Sequence, residues 1–313
     1  NEVTYFVNKP VSIFRTYSIT LEQFNSWNFN GTYLGSGSHL SATGEFRNQW
    51  KAEANLIVHS GAFDTKILRG GYDMRMPGSV MTFGSVQSDP SKKVTGEVEF
   101  RYESRGSKSA SIWEVQPSIS VRPLSILKIG VKANYEENHD ELQYVSTWDP
   151  GYLAKRYILG TIDQKTLGLT FRADLNLSPE FSIQYYGSPF ISKGTYSQFK
   201  RITNPRASDY TDRFAIYESP VLSDGVYQLT DTDNGWPIVS FVDNPNFNFH
   251  EFRSNLVAKW EYRLGSFIYL VWSSSRTGSN AFSDVSIGES YRYLRDVFPH
   301  NIFLIKLSYW FSL

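Results

Sequence analysis

Several absences in the sequence narrow what this protein can be. None of its 313 residues is cysteine, which excludes disulfide bonds, a thiol nucleophile and any metal site with cysteine ligands. No run of about 18 apolar residues occurs, so the sequence predicts no transmembrane helix, although membrane β-barrels carry a much weaker signal. The 31 basic and 31 acidic residues cancel, and no basic excess indicates a nucleic-acid partner.

The sequence is rich instead in aromatic residues and in alternation of apolar with polar residues. In LGLTFRADLNL, residues 167–177, every odd position is apolar and every even position is small, polar or charged. The same pattern recurs in residues 45–58, 94–103, 113–122, 127–136 and 303–313. Such alternation predicts β-strands with one apolar face and one polar face.

The spacing of these segments predicts about twelve strands. They are expected near residues 10–22, 28–42, 45–60, 78–87, 93–104, 109–122, 125–137, 164–177, 180–189, 252–264, 267–276 and 301–313, with further strands upstream of Asn1 left open. Short connections near 122–125, 178–180 and 264–266 alternate with long loops near 138–163, 190–251 and 277–300. Short periplasmic turns and long extracellular loops are typical of outer-membrane barrels, and an even strand number would leave both termini on the periplasmic rim.

The alternative is a large soluble β-sandwich or propeller. Strands of soluble sheets average five or six residues, whereas several segments here keep the alternation for ten or more, the length that crosses a bilayer at a tilt. Trp27, Trp50, Trp113 and Tyr135 lie near predicted strand ends, as an interfacial girdle requires. The sequence therefore predicts an all-β fold, a single antiparallel transmembrane β-barrel over residues 1–313.

Charged residues on the polar strand faces are the first candidate site. We expect the following to face the barrel lumen: Arg47, Lys51, Glu53, Glu97, Glu99, Arg101, Lys132, Arg172, Asp174, Lys259, Glu261 and Lys306. They either line a hydrated passage or neutralise one another across the interior. Barrels of about eight strands are filled and those of about sixteen leave a channel, and the balanced charge favours a packed or plugged lumen.

The long loop at 190–251 supplies the second candidate site. Its aromatic residues provide enough apolar area to form a lid, to stack on sugar rings or to bury against a partner protein. The residues expected to contact a ligand or partner are Tyr196, Phe199, Tyr210, Tyr227, Trp236 and Phe241.

Evidence for a cofactor is weak. The stretch DTDNG at 231–235 resembles the start of a calcium loop, which makes Asp231 and Asp233 candidate ligands, but the distal glutamate of an EF-hand is missing and a solvated turn is favoured. The five histidines show no metal-ligand spacing. No Gly-x-Ser-x-Gly nucleophile motif occurs, so we expect neither a cofactor nor an enzyme activity.

Four segments carry a resemblance to a known family. They are YYGSPFIS (185–192), TNPRASDYTDRF (203–214), RSNLVAKWEYRLGSFIYLVWSSSRT (253–277) and FPHNIFLIKLSYWFSL (298–313). They resemble the carboxy-terminal barrel, itself a domain of unknown function, of Gram-negative envelope proteins in which a periplasmic domain similar to carbohydrate-binding module family 9 usually precedes the barrel. The resemblance covers essentially the whole chain and implies an outer-membrane location in contact with lipid and lipopolysaccharide, but it brings no catalytic residues.

Two functions from different classes remain open. The first is an envelope barrel that binds or passes polysaccharide, which the carbohydrate-binding partner domain of the resembled family motivates. The second is an accessory subunit of a larger outer-membrane complex for secretion, uptake or assembly, with aromatic loops as docking surfaces. An outer-membrane enzyme ranks third.

Overall fold

The computed structural model is dominated by one antiparallel β-sheet, as the alternating sequence pattern predicts. It describes residues 1–151, 153–233, 235–280 and 286–311, without the side chains of Asp233 and Asn280. In chain order the strands and the helix are β1 (Glu2–Val7), β2 (Phe14–Trp27), β3 (Tyr33–Phe46), β4 (Lys51–His59), β5 (Ala62–Asp64), β6 (Met74–Met76), β7 (Ser79–Gln87), β8 (Val94–Arg105), β9 (Ala110–Leu124), β10 (Leu127–Trp148), β11 (Arg156–Asn176), β12 (Phe181–Ile202), β13 (Phe214–Ile216), β14 (Val221–Ser223), β15 (Val226–Asp233), β16 (Trp236–Asp243), β17 (Phe247–Arg263), β18 (Ser266–Asn280), α1 (Ile287–Asp296) and β19 (His300–Ser308).

The main sheet is a simple meander. Its strands lie in the order β1-β2-β3-β4-β7-β8-β9-β10-β11-β12-β17-β18-β19, and β13 pairs with the end of β12. The β5–β6 hairpin and the three-stranded sheet β14-β15-β16 are separate insertions. Within the described residues β1 and β19 are the two free edges and do not pair with each other, so the sheet is not closed into a barrel.

The predicted strand number is wrong by one. All twelve predicted segments correspond to strands of the meander, but β1 precedes them and makes thirteen in the described part of the chain. β1 escapes the pattern because it has only six residues and because Phe6 puts an apolar side chain on its polar face. With an odd number of strands, β1 starts at one rim of the sheet and β19 ends at the other, which corrects the expectation that both termini share a rim.

The longest connections all lie at one rim, although connection length does not alternate strictly between the two rims. The short rim holds the connections 8–13, 47–50, 88–93, 125–126, 177–180 and 264–265. The opposite rim holds 28–32, the β5–β6 hairpin, 106–109, 149–155, the β13–β16 insertion and the segment with α1. We call the second one the long rim, although its connections at 28–32 and 106–109 are themselves short.

Three strands are much longer than predicted. β10, β11 and β12 contain 22, 21 and 22 residues, so most of the loop expected at 138–163 and the first part of the one at 190–251 are strand. Two register shifts in β10, at Asp140/Gln143 and Tyr144/Ser146, change which residues face each side and break the alternation in the sequence. We call the long-rim ends of these strands, residues 138–148, 156–163 and 190–202, the extension.

The main sheet has a polar face and an apolar face. Directly paired residues share a face. One row of pairs, Leu21–Leu40–Leu56, is apolar throughout, and another, Glu53–Ser85–Glu99–Gln116, is polar throughout. The final strand follows the same rule with Phe303, Ile305 and Leu307 on the apolar face, although β19 ends at Ser308 and Leu313 of the predicted strand lies outside the described residues.

The buried apolar side chains of the described residues gather at the long-rim end. The core consists of Leu68, Met74, Ala110, Leu142, Ile158, Leu159, Ile162, Ile191, Phe199, Tyr217, Leu229, Val242 and Leu294. The apolar face nearer the short rim is left exposed, including Val98, Phe100, Ile119, Val131, Phe171, Leu270 and Ile305. The sheet therefore has a packed core at one end and an uncovered apolar surface along the rest.

The helix α1 covers part of the sheet near the long rim. It starts with a capping box in which the Ser286 side chain accepts from the Glu289 N–H and the Glu289 carboxylate accepts from the Ser286 N–H. Its buried Ser290 hydroxyl accepts from Asn248 Nδ2 of β17 at 2.9 Å. No helix among the described residues has the length and apolar character needed to span a membrane.

Candidate functional site

The polar face collects most of the charges that the sequence assigned to a lumen. Lys51, Glu53, Glu97, Glu99, Arg101, Lys132, Arg172, Asp174, Lys259, Glu261 and Lys306 lie on strands at polar-face positions. Arg47 is the exception, because it lies in the exposed 47–50 connection rather than on a strand. The strand period thus places eleven of the twelve predicted residues on one surface.

These charges are of mixed sign and several are already engaged. Lys132 on β10 reaches across β9 to Glu99 on β8, with 2.8 Å between Nζ and Oε1. Lys259 lies over the Phe267 ring at 4.5 Å, and the Glu261 carboxylate accepts from the Gly265 N–H in the adjacent turn. The polar face is therefore a network of ion pairs and cation–π contacts with hydrophilic space between its members.

Two cavities on the polar face show what such a surface could hold. One, of about 410 Å³, is lined by Glu53, Glu97, Glu99 and Arg101 among others. A second, of about 540 Å³, lies at the short-rim end of β8–β11 and includes Arg172. Charges and hydroxyls suit these cavities to water or a polar solute rather than to an apolar ligand.

The long-rim end forms a compact cap. We define the cap as the extension together with residues 60–78, the first insertion, and residues 203–246, the second insertion. The insertions meet although they leave the meander six strands apart: the Arg75 N–H donates to the Pro205 carbonyl at 2.8 Å, and Arg206 pairs with Asp73 at 3.1 Å. The two insertions therefore contact each other directly at the long-rim end.

Two hydrophobic clusters hold the cap, one on each side of the extension. Ile158 and Leu159 are consecutive residues of β11 and so point to opposite faces. The Leu159 cluster contains Leu68, Met74 and Leu142, and the Ile158 cluster contains Phe199, Tyr217, Leu229 and Val242. The extension thus packs against the first insertion on its Leu159 face and against the second insertion on its Ile158 face, and Tyr210 of the second insertion also reaches the Leu159 cluster.

The six predicted loop aromatics divide between the core and the surface of the cap. Phe199 and Tyr227 pack in the Ile158 cluster with ring centroids 4.7 Å apart, and Tyr196 contacts the same cluster. Tyr210 contacts the Leu159 cluster and donates its hydroxyl proton to Glu141 Oε2 at 2.8 Å. Trp236 and Phe241 are 74% and 55% exposed, so these two are the members of the set that present their rings to a ligand or partner.

The calcium candidate Asp231 is engaged by two arginines. Its carboxylate lies 3.2 Å from Arg156 Nε and 2.6 Å from Arg201 Nη1, and all three side chains are largely buried. Two guanidinium groups already neutralise this carboxylate, which disfavours a bound cation at the same oxygens. The Asp233 side chain and Asn234 of the predicted calcium loop lie outside the described residues. Elsewhere in the described chain, no three His, Asp or Glu side chains are grouped as metal ligands would be.

Lys200, a buried lysine at the centre of the cap, was not among the residues predicted from the sequence. Its ammonium donates to the Glu141 carbonyl at 3.0 Å, to Thr161 Oγ1 at 2.7 Å and to the Gln198 carbonyl at 3.1 Å. Burial lowers the pKa of Lys200, and burial together with the Glu141 carboxylate raises the pKa of Tyr210. Lys200, like the Arg156 and Arg201 partners of Asp231, escaped prediction because its partners are far apart in the chain.

Taken together, the fold defines a class: an all-β protein built on one long antiparallel meander, with a charged face, an exposed apolar face and a packed cap. The chain belongs to the family described as a domain of unknown function, DUF5916, whose family model matches residues 1–312. Among curated proteins, none matches this chain.

Proposed function

We propose that this protein is a non-enzymatic β-barrel of the Gram-negative outer membrane that binds or passes polysaccharide. One observation carries the membrane part of the proposal: the apolar face of the main sheet is exposed while the packed core lies at the long-rim end. In water each exposed Å² of apolar surface costs about 25 cal/mol, and large contiguous apolar patches are rare on soluble monomers. A lipid environment removes that cost.

The dimensions of the apolar band fit a bilayer. On β10 it runs over 127–135 and on β11 over 167–175, which is roughly 26 Å along each strand at 3.3 Å per residue. Transmembrane strands need about 9–11 residues at a tilt.

The band ends in polar groups on the same face, at the side of the long rim. Glu137 pairs with Lys165 at 2.8 Å, and the next residues along the two strands that share this face, His139 and Asp163, approach to 2.7 Å. Trp113 Nε1 and the Tyr135 hydroxyl both donate to Glu137, at 3.1 and 2.7 Å. Amphipathic aromatic rings beside charged pairs are what a membrane–water interface favours, with lipid and lipopolysaccharide as the surrounding partners.

A pair of neighbouring substitutions tests the lipid-facing assignment. We expect Phe171→Lys on the apolar face to cost about 2–4 kcal/mol of folding free energy in lipid vesicles, as lysines near a bilayer midplane do. Thr170→Lys, on the polar face one residue away, should cost much less because its charge enters a hydrated interior. Denaturant titrations of both variants in vesicles measure the difference. Equal stability of the two variants would remove the membrane proposal.

The polysaccharide part rests on the polar face and on the exposed aromatics of the cap. Hydroxyl and charged side chains line the polar cavities, and Trp236 and Phe241 offer flat rings on which sugars can stack. We expect Trp236→Ala combined with Phe241→Ala to weaken retention of the protein in gels that contain envelope polysaccharide. Tyr293→Ala, which removes an exposed ring on α1, is the matched control. Retention that is identical in all three proteins would remove these rings from the proposal.

The alternative, an accessory subunit of a larger outer-membrane complex, is favoured by a separate observation. Val221 and Phe241 flank Gln228 on the same face of the β14-β15-β16 sheet, and both are exposed. Apolar side chains exposed in this way suit a protein interface as well as a sugar. Extraction from the native membrane in mild detergent, followed by mass spectrometry of stoichiometric companions, tests this alternative; isolation of a solitary protein would contradict it.

A further inference from the structure

We propose that the cavity at the short-rim end of the polar face is a binding site for an acidic sugar, one that carries carboxylate groups. This inference deepens the proposed polysaccharide function and rests on it. The cavity has a volume of about 540 Å³ and is bounded by β8, β9, β10 and β11. Its charged lining residues are Arg122, Lys128, Lys132, Arg172, Glu97 and Asp174.

The strand register arranges the cations around a glycine. Gly130 pairs with Arg172 on one side and with Ser120 on the other. Lys128 and Lys132 precede and follow it by two residues, so their side chains rise from the same face about 6–7 Å from it along the strand. A Cβ atom at Gly130 would meet no atom closer than 3.9 Å. The missing side chain therefore leaves an open floor between Lys128, Lys132 and Arg172.

Three of these cations are not neutralised by a carboxylate of the described chain and can therefore pair with an anionic ligand. Lys132 is paired with Glu99, whereas Arg122, Lys128 and Arg172 have no ion pair within 4.0 Å among the described side chains. The Arg172 guanidinium lies over the Tyr186 ring at 5.4 Å, which orients it without neutralising it. Guanidinium groups bind carboxylates through charge-assisted and often paired hydrogen bonds.

The remaining lining fits a sugar better than a small inorganic anion. Glu97 and Asp174 also line the cavity without an ion pair among the described side chains, and they would repel a compact anion. Carboxylates accept hydrogen bonds from hydroxyl groups, and the hydroxyls of Thr95, Ser118 and Thr170 add donors and acceptors. A ligand that carries both carboxylates and many hydroxyls, as an acidic oligosaccharide does, satisfies both parts of the lining.

The test compares two ligands that differ only in charge. Hexagalacturonate and its fully methyl-esterified form are titrated calorimetrically into the whole chain in detergent. We expect the acid to bind at least about tenfold more tightly than the ester, since charge-assisted hydrogen bonds contribute more than neutral ones. The affinity for the acid should also fall as salt is added, because the cations are exposed to solvent.

Single substitutions then locate the site. Arg172→Gln and, independently, Arg122→Gln should each weaken binding of the acid by about tenfold and leave the ester unchanged. Arg172→Lys keeps the charge but loses the paired donors, so it should weaken binding of the acid less than Arg172→Gln does, which a purely structural role of the guanidinium would not predict. Lys108→Gln removes an exposed cation in the 106–109 connection at the long rim and is the control without effect.

The results of these experiments distinguish failure of the acidic-sugar site from failure of the proposed polysaccharide function. Equal binding of acid and ester, acid binding that survives both glutamine substitutions, or no binding of either hexamer overturns the acidic-sugar site. The membrane and polysaccharide proposals are judged separately, by Phe171→Lys in vesicles and by retention in polysaccharide gels.

Discussion

At the scale of single residues, Asp231 controls the charge balance of the cap. Asp231→Asn would remove the charge partner of the largely buried Arg201 guanidinium, which lies 2.6 Å from the Asp231 carboxylate. Removing one partner of a buried ion pair costs about 3–5 kcal/mol of stability. We therefore expect faster amide hydrogen exchange in β15, in β16 and in the first residues of β11. Exchange measured by mass spectrometry in detergent tests this.

Asp243→Asn is the matched control for that substitution. Asp243 is an exposed carboxylate at the end of β16 in the same insertion, so its loss should leave exchange unchanged. Equal exchange in the two variants would show that the Asp231 pairs do not hold the cap. The pairs could not be read from the sequence, because Asp231 lies 75 residues from Arg156 and no local pattern links them.

At the scale of elements, the first insertion is held to the extension by few side chains. Leu68 and Met74 are almost completely buried against Leu142 and Leu159. Leu68→Ala leaves a cavity in this small cluster and should cost about 2–5 kcal/mol of its local stability. We expect trypsin to cleave the first insertion of the variant at Lys66, Arg69 or Arg75 while the main sheet stays intact.

Tyr72→Ala, which truncates a side chain that is 71% exposed in the same insertion, should leave the cleavage rate close to that of the unmodified protein. If Leu68→Ala were equally resistant, the Leu159 cluster would not be the anchor of the first insertion.

Elements were predictable from the sequence where alternation was unbroken. LGLTFRADLNL lies wholly within a strand except for Leu177, and its odd residues occupy the apolar face. The prediction failed where the phase changed: the register shifts of β10 hid the extension, and Phe6 hid β1. The polar-face positions of the charged residues were also predictable, because they follow the same two-residue alternation of a β-strand. The division of the aromatics between core and surface did not, because it depends on which insertion packs on which face of the extension.

At the scale of the whole molecule, the odd strand number places the two ends of the meander at opposite rims. The chain has no cysteine, so each single substitution to cysteine carries one thiol. In the proposed membrane orientation, Glu2→Cys and Asn30→Cys at the long rim should react with an impermeant maleimide on intact cells. Asn48→Cys at the short rim should react only after the outer membrane is permeabilised.

The control is the unmodified protein, which should take up no label at all. Labelling of Asn48→Cys on intact cells, or protection of Glu2→Cys together with Asn30→Cys, would contradict the assigned orientation of the rims.

The directions of the two edge strands, β1 and β19, bear on where the wall of a closed barrel would be weakest. β1 and β19 run in the same direction, because twelve reversals separate them in the described meander. A closed barrel in which every strand is antiparallel to both neighbours needs an even number of strands. Thirteen strands can therefore complete a wall only through one parallel contact or with an odd number of strands added between the edges. A parallel contact would differ from all the others, so a wall closed in that way should unzip there first under mechanical or chemical stress.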